Sequence, residues 1–301
     1  MNLYRFTFVA MACECELQLW GEGSAVYAAA DAAIADVRRI EAKYSRYRAD
    51  SVTSVINRAA GHAPVAIDAE TAALLDYAGV CHALSEGAFD ITSGVLRRAW
   101  DFKRTPPRLP DAAEIAEHLT LVNWRAVERT EHTVFLRTRG MEIDFGGIGK
   151  EYAADRAATC CIERGVHHGL VNLGGDVRLV GPQPGDAPWA IGIRHPRGEG
   201  ALATIELRAG ALATSGDYER YFEIDGVRYC HLLDARTGMA VSAWQSVSVV
   251  ASVCTIAGSC ATIAMLQGDG APAFLAAQGV DYVAIDRDGR MSGTLAATAR
   301  T

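Results

Sequence analysis

Hydrophobic and polar positions follow two different periods along the chain, and the period changes near residue 121. In 24–45 and 68–87, apolar residues recur every three or four positions, which predicts two amphipathic helices. Ser24 is the expected N-cap of the first helix, and the second begins at Asp68 or Thr71 and ends at a glycine. A proline-containing loop and a short helix at about 111–119 follow.

From residue 121 onward, short runs rich in Val, Ile, Thr and Tyr predict strands. The expected strands are LVNWRAVE, TVFLRT, MEIDF, GLVNL, DVRLVG, WAIGIR, ATIELR, ALATS, RYFEID, VRYCHLL, SVSVVA and YVAID. Helices are expected at about 148–164, 256–267 and 271–278, and the alternating segment 1–20 predicts a strand or hairpin. This order lacks regular βαβ alternation, so it favours an α+β fold with mixed or antiparallel sheets flanked by helices. We expect a single domain over 1–301, or two closely joined lobes.

Composition narrows the function classes. The 36 acidic and 29 basic residues give a net charge of −7, so there is no basic field for nucleic acid. The sequence contains no uncharged apolar run of 18 residues, so no membrane span is predicted. Because 1–20 also lacks the pattern of a signal peptide, we expect a cytoplasmic protein. The eight cysteines lack zinc or redox spacing and are expected to be small buried hydrophobes.

Three glycine-containing loops carry candidate binding residues. In GAFDITSG (87–94), Asp90 either caps a helix or contacts a ligand. IDFGGIGKEYAADRAA (143–158) leads from a strand into a helix carrying Lys150, an arrangement that suits a phosphate but equally suits tight strand–helix packing. In VNLGGDVRLVG (171–181), Asp176 either stabilises the turn or faces a ligand.

The segment 213–238 has the highest density of polar residues. Its sequence IDGVRY predicts a hairpin connection, and His231, Asp234 and Arg236 lie within six positions near the end of the second strand. A lone histidine is usually a satisfied core residue, but this combination favours chemistry.

These motifs, taken in order, resemble the ApbE family of FAD:protein FMN transferases, from about residue 11 to 268. The motifs that carry the resemblance are SRYRADSVTSVIN, GAFDITSGVL, DFGGIGKEYAADRA, VNLGGDVRLVG, TSGDYERYF, HLLDARTG and SVSVVA…AT. The resemblance implies an ApbE-like α+β fold with an FAD cleft. It also implies Mg²⁺-dependent transfer of FMN from FAD to a threonine or serine of an acceptor protein, with release of AMP.

The resemblance also implies roles for individual residues. The implied FAD contacts are Met11, Tyr47, Ala88, Phe89, Asp90, Asp144, Lys150 and Leu232. The implied metal ligands are the backbone carbonyl of Gly147 and the side chain of Thr262. His231 is the implied acid–base or positioning residue, and Lys150 and Asp234 complete the expected catalytic set.

The chain departs from the family pattern at several positions. The family motif A-D-x-x-A-T has an aspartate where this chain has Gly258, and Glu151 replaces the usual glycine after Lys150. The family usually has Met-Gly-Thr where this chain has Met11, Ala12 and Cys13, and Ala235 replaces a proline. The small-residue run AGSCAT (257–262) is expected to begin a helix whose N-terminus faces the cleft.

Three hypotheses follow from these departures. The chain is an FMN transferase in which water, Ser259 or a distant carboxylate such as Asp234 replaces the missing ligand. Alternatively, it binds FAD without transferring FMN, or it is a structural α+β protein whose glycines serve packing. The sequence alone also predicts that Gly258→Asp strengthens Mg²⁺ binding.

Overall fold

The computed structural model describes residues 1–296 and shows a layered arrangement of helices and strands. The helices are α1 Gly23–Tyr44, α2 Val52–Arg58, α3 Ala69–Leu84, α4 Ala112–Leu119, α5 Gly149–Glu163, α6 Cys254–Gln267 and α7 Ala271–Gln278. The strands are β1 Asn2–Ala10, β2 Cys13–Gly21, β3 Val65–Ala66, β4 Val127–Arg129, β5 Thr133–Leu136, β6 His168–Leu173, β7 Asp176–Gly181, β8 Trp189–Arg194, β9 Ala201–Leu207, β10 Ala211–Gly216, β11 Tyr221–Ile224, β12 Val227–Cys230, β13 Trp244–Ala251, β14 Asp281–Asp286 and β15 Met291–Ser292.

Eight strands form the main sheet, in the order β1-β2-β6-β7-β10-β13-β14-β15. Every strand pairing in the described part of the chain is antiparallel, because neighbouring strands are joined by hairpins or by connections that return along the sheet. Smaller sheets contain β3-β5-β4, β8-β9 and β11-β12. The α+β prediction is therefore confirmed, with antiparallel rather than mixed sheets.

The two faces of the main sheet are covered differently. Helices α1, α5 and α6 pack on one face and form the larger core, whose buried members include Leu17, Val37 and Ala154. The β8-β9 hairpin covers the other face, where Trp189 and Ile191 pack with Leu179. The inner strands β6 and β13 therefore bury side chains on both faces, which explains the long apolar runs in GLVNL and SVSVV.

Helices α5 and α6 run antiparallel to each other. The first turn of α5 meets the middle of α6, where Glu151 lies against Gly258. The second turn of α5 meets the start of α6, where Asp155 accepts hydrogen bonds from the backbone of Cys254 and Thr255. Since β13 leads away from the end of the sheet that holds the β6-β7 turn, α6 begins at the far end and returns toward that turn.

The structure corrects several local predictions. Residues expected to be strand in LVNWRAVE form a 3-10 helix at Trp124–Ala126 before β4. In MEIDF, residues 141–144 are irregular and lead into a 3-10 helix at Phe145–Gly147 in place of a strand. Helix α1 begins after Glu22 rather than at Ser24. By contrast, Asp68 caps α3 through the N–H of Thr71, as predicted. The sequence reasoning missed α2.

The structure also bears on two expectations about the whole chain, the burial of its cysteines and the absence of a membrane span. Seven of the eight cysteines are buried and Cys13 is half-buried, all of them as free thiols, which confirms the packing prediction. Within residues 1–296, no helix combines the length and apolar character needed to cross a membrane.

Candidate functional site

The N-terminus of α5 is open toward one end of the main sheet. Ile148 precedes the helix and gives it no side-chain cap, and the helix dipole favours an anion at this end. Lys150 lies in this first turn, and its Nζ is 2.9 Å from Oδ2 of Asp176. Although burial alone would lower it, the pKa of Lys150 is raised by the charge of Asp176, so the lysine stays cationic.

Asp176 is at the start of β7, directly after the Gly174–Gly175 turn, and it is buried. Its Oδ1 accepts a hydrogen bond from the N–H of Thr214 on β10 at 3.4 Å. Burial raises its pKa, and the charge of Lys150 opposes this. Asp176 therefore joins β7 to β10 and fixes Lys150, while Oδ1 of Asn172 accepts the N–H of Gly175 within the turn; a ligand contact of Asp176 stays a prediction.

Glu151 follows Lys150 and points into the protein. Only 8% of the residue is exposed, and its Oε2 has no hydrogen-bond partner among the described residues. Burial, with the charge of Asp176, raises the pKa of Glu151 to about 7. A buried carboxylate oxygen without a partner is unusual and calls for a ligand or another explanation.

Helix α6 presents small residues to α5. A Cβ added at Gly258 would lie 2.4 Å from Cγ and 2.9 Å from Oε1 of Glu151. Thr262 is one turn further on the same face, and its Oγ1 is 2.7 Å from Oγ of Ser215 on β10. The expectation that AGSCAT begins this helix is wrong, because α6 starts at Cys254 and the run 257–262 lies inside it.

Asp155 has a role that sequence reasoning missed. Val253, the residue before α6, makes no side-chain cap. The carboxylate of Asp155 on α5 supplies that cap, accepting from the N–H groups of Cys254 at 2.7 Å and Thr255 at 2.8 Å. Its Oδ1 is also 3.1 Å from Nε of Arg178. The spacing of an aspartate five positions after Lys150 was visible, but its partner lies about a hundred residues away.

The β1-β2 turn reaches the same end of the sheet. Met11 and Ala12 have φ values of 54° and 59°, a region that glycine adopts more readily. The N–H of Met11 donates to Oε1 of Glu41 on α1 at 2.6 Å. A Cβ placed on Gly174 would lie 2.8 Å from Cys13 and 3.8 Å from Nζ of Lys150, so this turn packs directly beside the lysine.

Asp144 lies at the start of the glycine-rich loop and pairs with Arg46. Its Oδ1 accepts from the N–H of Gly146 at 2.9 Å, so the carboxylate also orders this loop. Arg46 donates to the hydroxyl of Tyr47 at 2.8 Å, and the ring of Tyr47 is 71% exposed. An exposed aromatic ring held by an arginine is a suitable stacking surface for a planar ligand.

The GAFD loop is anchored mainly within the protein. Oδ1 of Asp90 accepts from the N–H and the hydroxyl of Thr92, both at 2.7 Å, and Oδ2 accepts from the N–H of Trp124 at 3.1 Å. The carbonyl of Ala88 accepts from the N–H of Ala235 at 3.1 Å, which joins this loop to HLLDARTG. Asp90 therefore acts as a cap, and its contact with FAD stays a prediction, as do those of Ala88 and Phe89, both buried.

His231 directly follows β12. Its backbone N–H donates to the carbonyl of Arg220 at 2.9 Å, and its ring Nδ1 is buried without a partner among the described residues. Burial, followed by the charges of Arg220, Lys150 and Arg46, lowers the pKa of His231 to about 4. The imidazole is therefore neutral near pH 7 and able to accept a proton, and three cations lie around it.

The other members of HLLDARTG serve the turn. Oδ2 of Asp234 is 2.7 Å from Nη2 of Arg236, and Oδ1 accepts from the backbone N–H of Arg236 at 2.9 Å. The carbonyl of Leu232 accepts from Val241 at 3.0 Å. These contacts account for Asp234 as a structural residue, so its catalytic role stays a prediction without direct support.

Ser259 and Asp234 were the side chains considered as replacements for the missing metal ligand. Ser259 is buried and faces Tyr77 and Cys81 on α3, away from Glu151. Asp234 is bound by Arg236. Neither residue makes a recorded contact with Thr262 in the described part of the chain.

A separate groove of about 760 Å³ lies between the end of α3 and the GAFD loop. It is lined by Gly79, His82, Ala83, Glu86, Gly87, Asp90, Val122, Asn123, Trp124, Arg125, Ala235 and Arg236. Since Lys150, Glu151 and Thr262 are absent from this lining, the groove is not the site around α5.

Oxygen donors of the kind that a divalent metal ion takes are present at the start of α5 and on α6. No group of three or more His, Cys, Asp or Glu side chains within residues 1–296 is arranged to hold a metal. However, Mg²⁺ uses few protein ligands and keeps several waters. The hydroxyl of Thr262, the backbone at Gly147 and the unpartnered Oε2 of Glu151 are all oxygen donors, and the 3-10 helix containing Gly147 contacts α6.

Comparison with known proteins places this chain in a family. The sequence model of the ApbE family matches residues 11–284. A protein of Klebsiella pneumoniae named FAD:protein FMN transferase is 32% identical over 241 residues, which cover 79% of this chain and 73% of that protein. One of Treponema pallidum with the same name is 32% identical over 274 residues, covering 84% and 76%.

Solved structures give the same result. The ApbE protein of Thermotoga maritima superposes with a TM-score of 0.90 at 32% identity and covers 97% of each chain. The apo form of the flavinyl transferase ApbE of Pseudomonas stutzeri superposes with a TM-score of 0.87 at 26% identity, covering 98% of this chain and 95% of that one. In sequence and in fold, the chain belongs to the ApbE family.

Proposed function

We propose that this protein transfers FMN from FAD to a threonine or serine of an acceptor protein and releases AMP, with Mg²⁺ bound. The observation that carries the proposal is the convergence at one end of the sheet of the open N-terminus of α5, Lys150 and the neutral imidazole of His231. The names of the relatives support the same reaction.

The start of α5 suits the diphosphate of FAD. The N–H groups at a helix N-terminus and a lysine held by Asp176 attract phosphate oxygens and keep them in a fixed place. The side chain of Tyr47, positioned by Arg46, offers a ring for stacking. These groups mainly orient the substrate, which is most of what phosphoryl transfer requires of a protein.

His231 suits the accepting hydroxyl. A neutral ring nitrogen without a partner accepts the hydroxyl proton as the new bond forms between the hydroxyl oxygen and the FMN phosphorus. The bond from that phosphorus to the AMP phosphate breaks, and AMP leaves with the electron pair. Mg²⁺, held by Thr262 and the carbonyl of Gly147, would neutralise charge that develops on the phosphates.

The test combines purified protein, FAD, Mg²⁺ and a panel of peptides that contain threonine or serine. Mass spectrometry detects a gain of one FMN on a peptide, and chromatography detects AMP. We expect both products with wild type, neither in EDTA, and a loss of at least about a hundredfold in His231→Gln. His132→Gln, at an exposed position, is the matched control.

Since water can replace the accepting hydroxyl, AMP without a peptide adduct would mean that the right acceptor is missing from the panel. FAD binding with neither AMP nor adduct would contradict transfer and support the alternative of an FAD-binding protein without transferase activity.

A further inference from the structure

Glu151 occupies space that belongs to α6. A Cβ on Gly258 would lie 2.4 Å from its Cγ and 3.0 Å from its Cδ, so the carboxyl group sits where a side chain at position 258 would otherwise project. A glycine at 258 and a long acidic residue at 151 are therefore spatially complementary.

Among residues 1–296, no cation forms an ion pair with Glu151. The neighbouring residue, Lys150, is a cation, but its Nζ already pairs with Oδ2 of Asp176 at 2.9 Å. Two buried carboxylates thus face one ammonium group, and Oε2 of Glu151 has no partner among residues 1–296. A buried carboxylate is costly unless it is paired or binds a metal.

The next side chain on this face of α6 carries an oxygen. Gly258, which lies against Glu151, and Thr262 are one turn apart on the same face of α6, and Oγ1 of Thr262 is 2.7 Å from Oγ of Ser215. Carboxylate, hydroxyl and water oxygens are the ligands that a hard divalent cation takes.

We infer that Glu151 supplies, from α5, the carboxylate ligand of a divalent cation site shared with Thr262 of α6, in place of a side chain at position 258. The inference deepens the proposed function and rests on it only for the use of the metal, since metal binding is measured without any transfer. It also replaces the expectation that Gly258→Asp alone strengthens Mg²⁺ binding, because that side chain would collide with Glu151.

The first experiment measures Mn²⁺ binding by electron paramagnetic resonance and Mg²⁺ binding by calorimetry, with the full chain and FAD present. Glu151→Gln keeps the size of the side chain and removes its charge, so it is expected to fold and to weaken metal binding by at least about tenfold. Glu163→Gln, an exposed position on the same helix, is the matched control and is expected to bind like wild type.

The second experiment moves the carboxylate between the helices. Glu151→Gly and Gly258→Asp are each expected to bind metal poorly, the first because it lacks the carboxylate and the second because of the collision. The double variant E151G/G258D is expected to bind Mn²⁺ within a few-fold of wild type. Circular dichroism and thermal unfolding establish that each variant is folded.

Wild-type Mn²⁺ affinity in folded Glu151→Gln would overturn the inference. A folded double variant that binds no better than Glu151→Gly would also overturn it. If metal binding follows the expected order while no variant, including wild type, releases AMP, the metal site stands and the proposed transferase function fails.

Discussion

Helices α5 and α6 lie side by side against the same sheet, yet they contribute opposite properties. Helix α5 carries Lys150, Glu151 and Asp155 into its buried face, whereas ten of the fourteen residues of α6 are buried and none of the fourteen is charged. One helix supplies charge and the other supplies room for it. The difference shows that a polar site in a core depends as much on the small residues opposite as on the charged ones.

The largest loss of stability is expected at the contact where Asp155 of α5 caps the N-terminus of α6. Asp155→Ala removes the cap of α6 and leaves Arg178 without its carboxylate, so unfolding free energy should fall by about 2–4 kcal/mol. Urea denaturation measures it. Asp31→Ala, on the exposed face of α1, is the control, and a difference between the two below about 1 kcal/mol would contradict the capping role.

A smaller loss of stability is expected when the space that Gly258 of α6 leaves for Glu151 is filled. Gly258→Ala places a methyl group against Glu151 and is expected to cost about 1–3 kcal/mol by overpacking. In a Glu151→Gly background the same change should cost nothing and should gain a few tenths of a kcal/mol or more, since alanine favours the helix. A double-mutant cycle in urea gives the coupling, and additive effects would show that the two positions do not compete for space.

The pH dependence of stability tests whether the imidazole of His231 is buried in its neutral form. Its pKa of about 4 lies below the ordinary value of about 6.5, so the unfolded chain binds more protons between these values. Stability from this group is therefore present above pH 6.5 and lost as pH falls toward 4. Relative to His231→Gln, wild type should lose on the order of 1–2 kcal/mol between pH 7 and 4.5. A pH-independent difference between the two proteins would contradict the buried neutral imidazole.

Cysteine reactivity gives the smallest change and requires no change in stability. The hydrogen bond from Cys15 and the charge of Lys150 lower the pKa of Cys13 to about 7 against the effect of burial, whereas burial raises the pKa of Cys260 on α6 to about 11. At pH 7.5, iodoacetamide should therefore label Cys13 before Cys260, as peptide mass spectrometry would show. Equal labelling would contradict the difference in pKa between the two thiols, and a Cys13 rate unchanged in Lys150→Met would show that Lys150 does not contribute to it.

Local periodicity predicted much of the scaffold. Asp68 caps α3 and α5 spans 149–163, close to the expected bounds, because capping residues and helical spacing act within a few positions. The residues at 121–128 were assigned to a strand from their composition, yet Asp90 holds the N–H of Trp124 in a 3-10 turn. That contact joins positions 34 residues apart, and no short window contains it.

The candidate site was predictable in its parts and not in its arrangement. The motif order located Lys150, Asp176 and His231, and the structure brings charges from these segments together. The order of motifs could not connect Glu151 with Gly258, because in the sequence each is an isolated departure from the family pattern. Their relation depends on how two helices pack, and packing direction is set by the path of β13 and not by local spacing.

The cap that Asp155 places on α6 has a consequence for the order in which the chain becomes structured. Its hydrogen bonds to Cys254 and Thr255 span 99 and 100 positions, so a long loop closes before α6 acquires its first satisfied turn. Four of the eight strands of the main sheet, β6, β7, β10 and β13, lie within that loop. Nucleation of α6 on its own is unfavourable, and this helix therefore completes its first turn late, after α5 and the intervening strands have met.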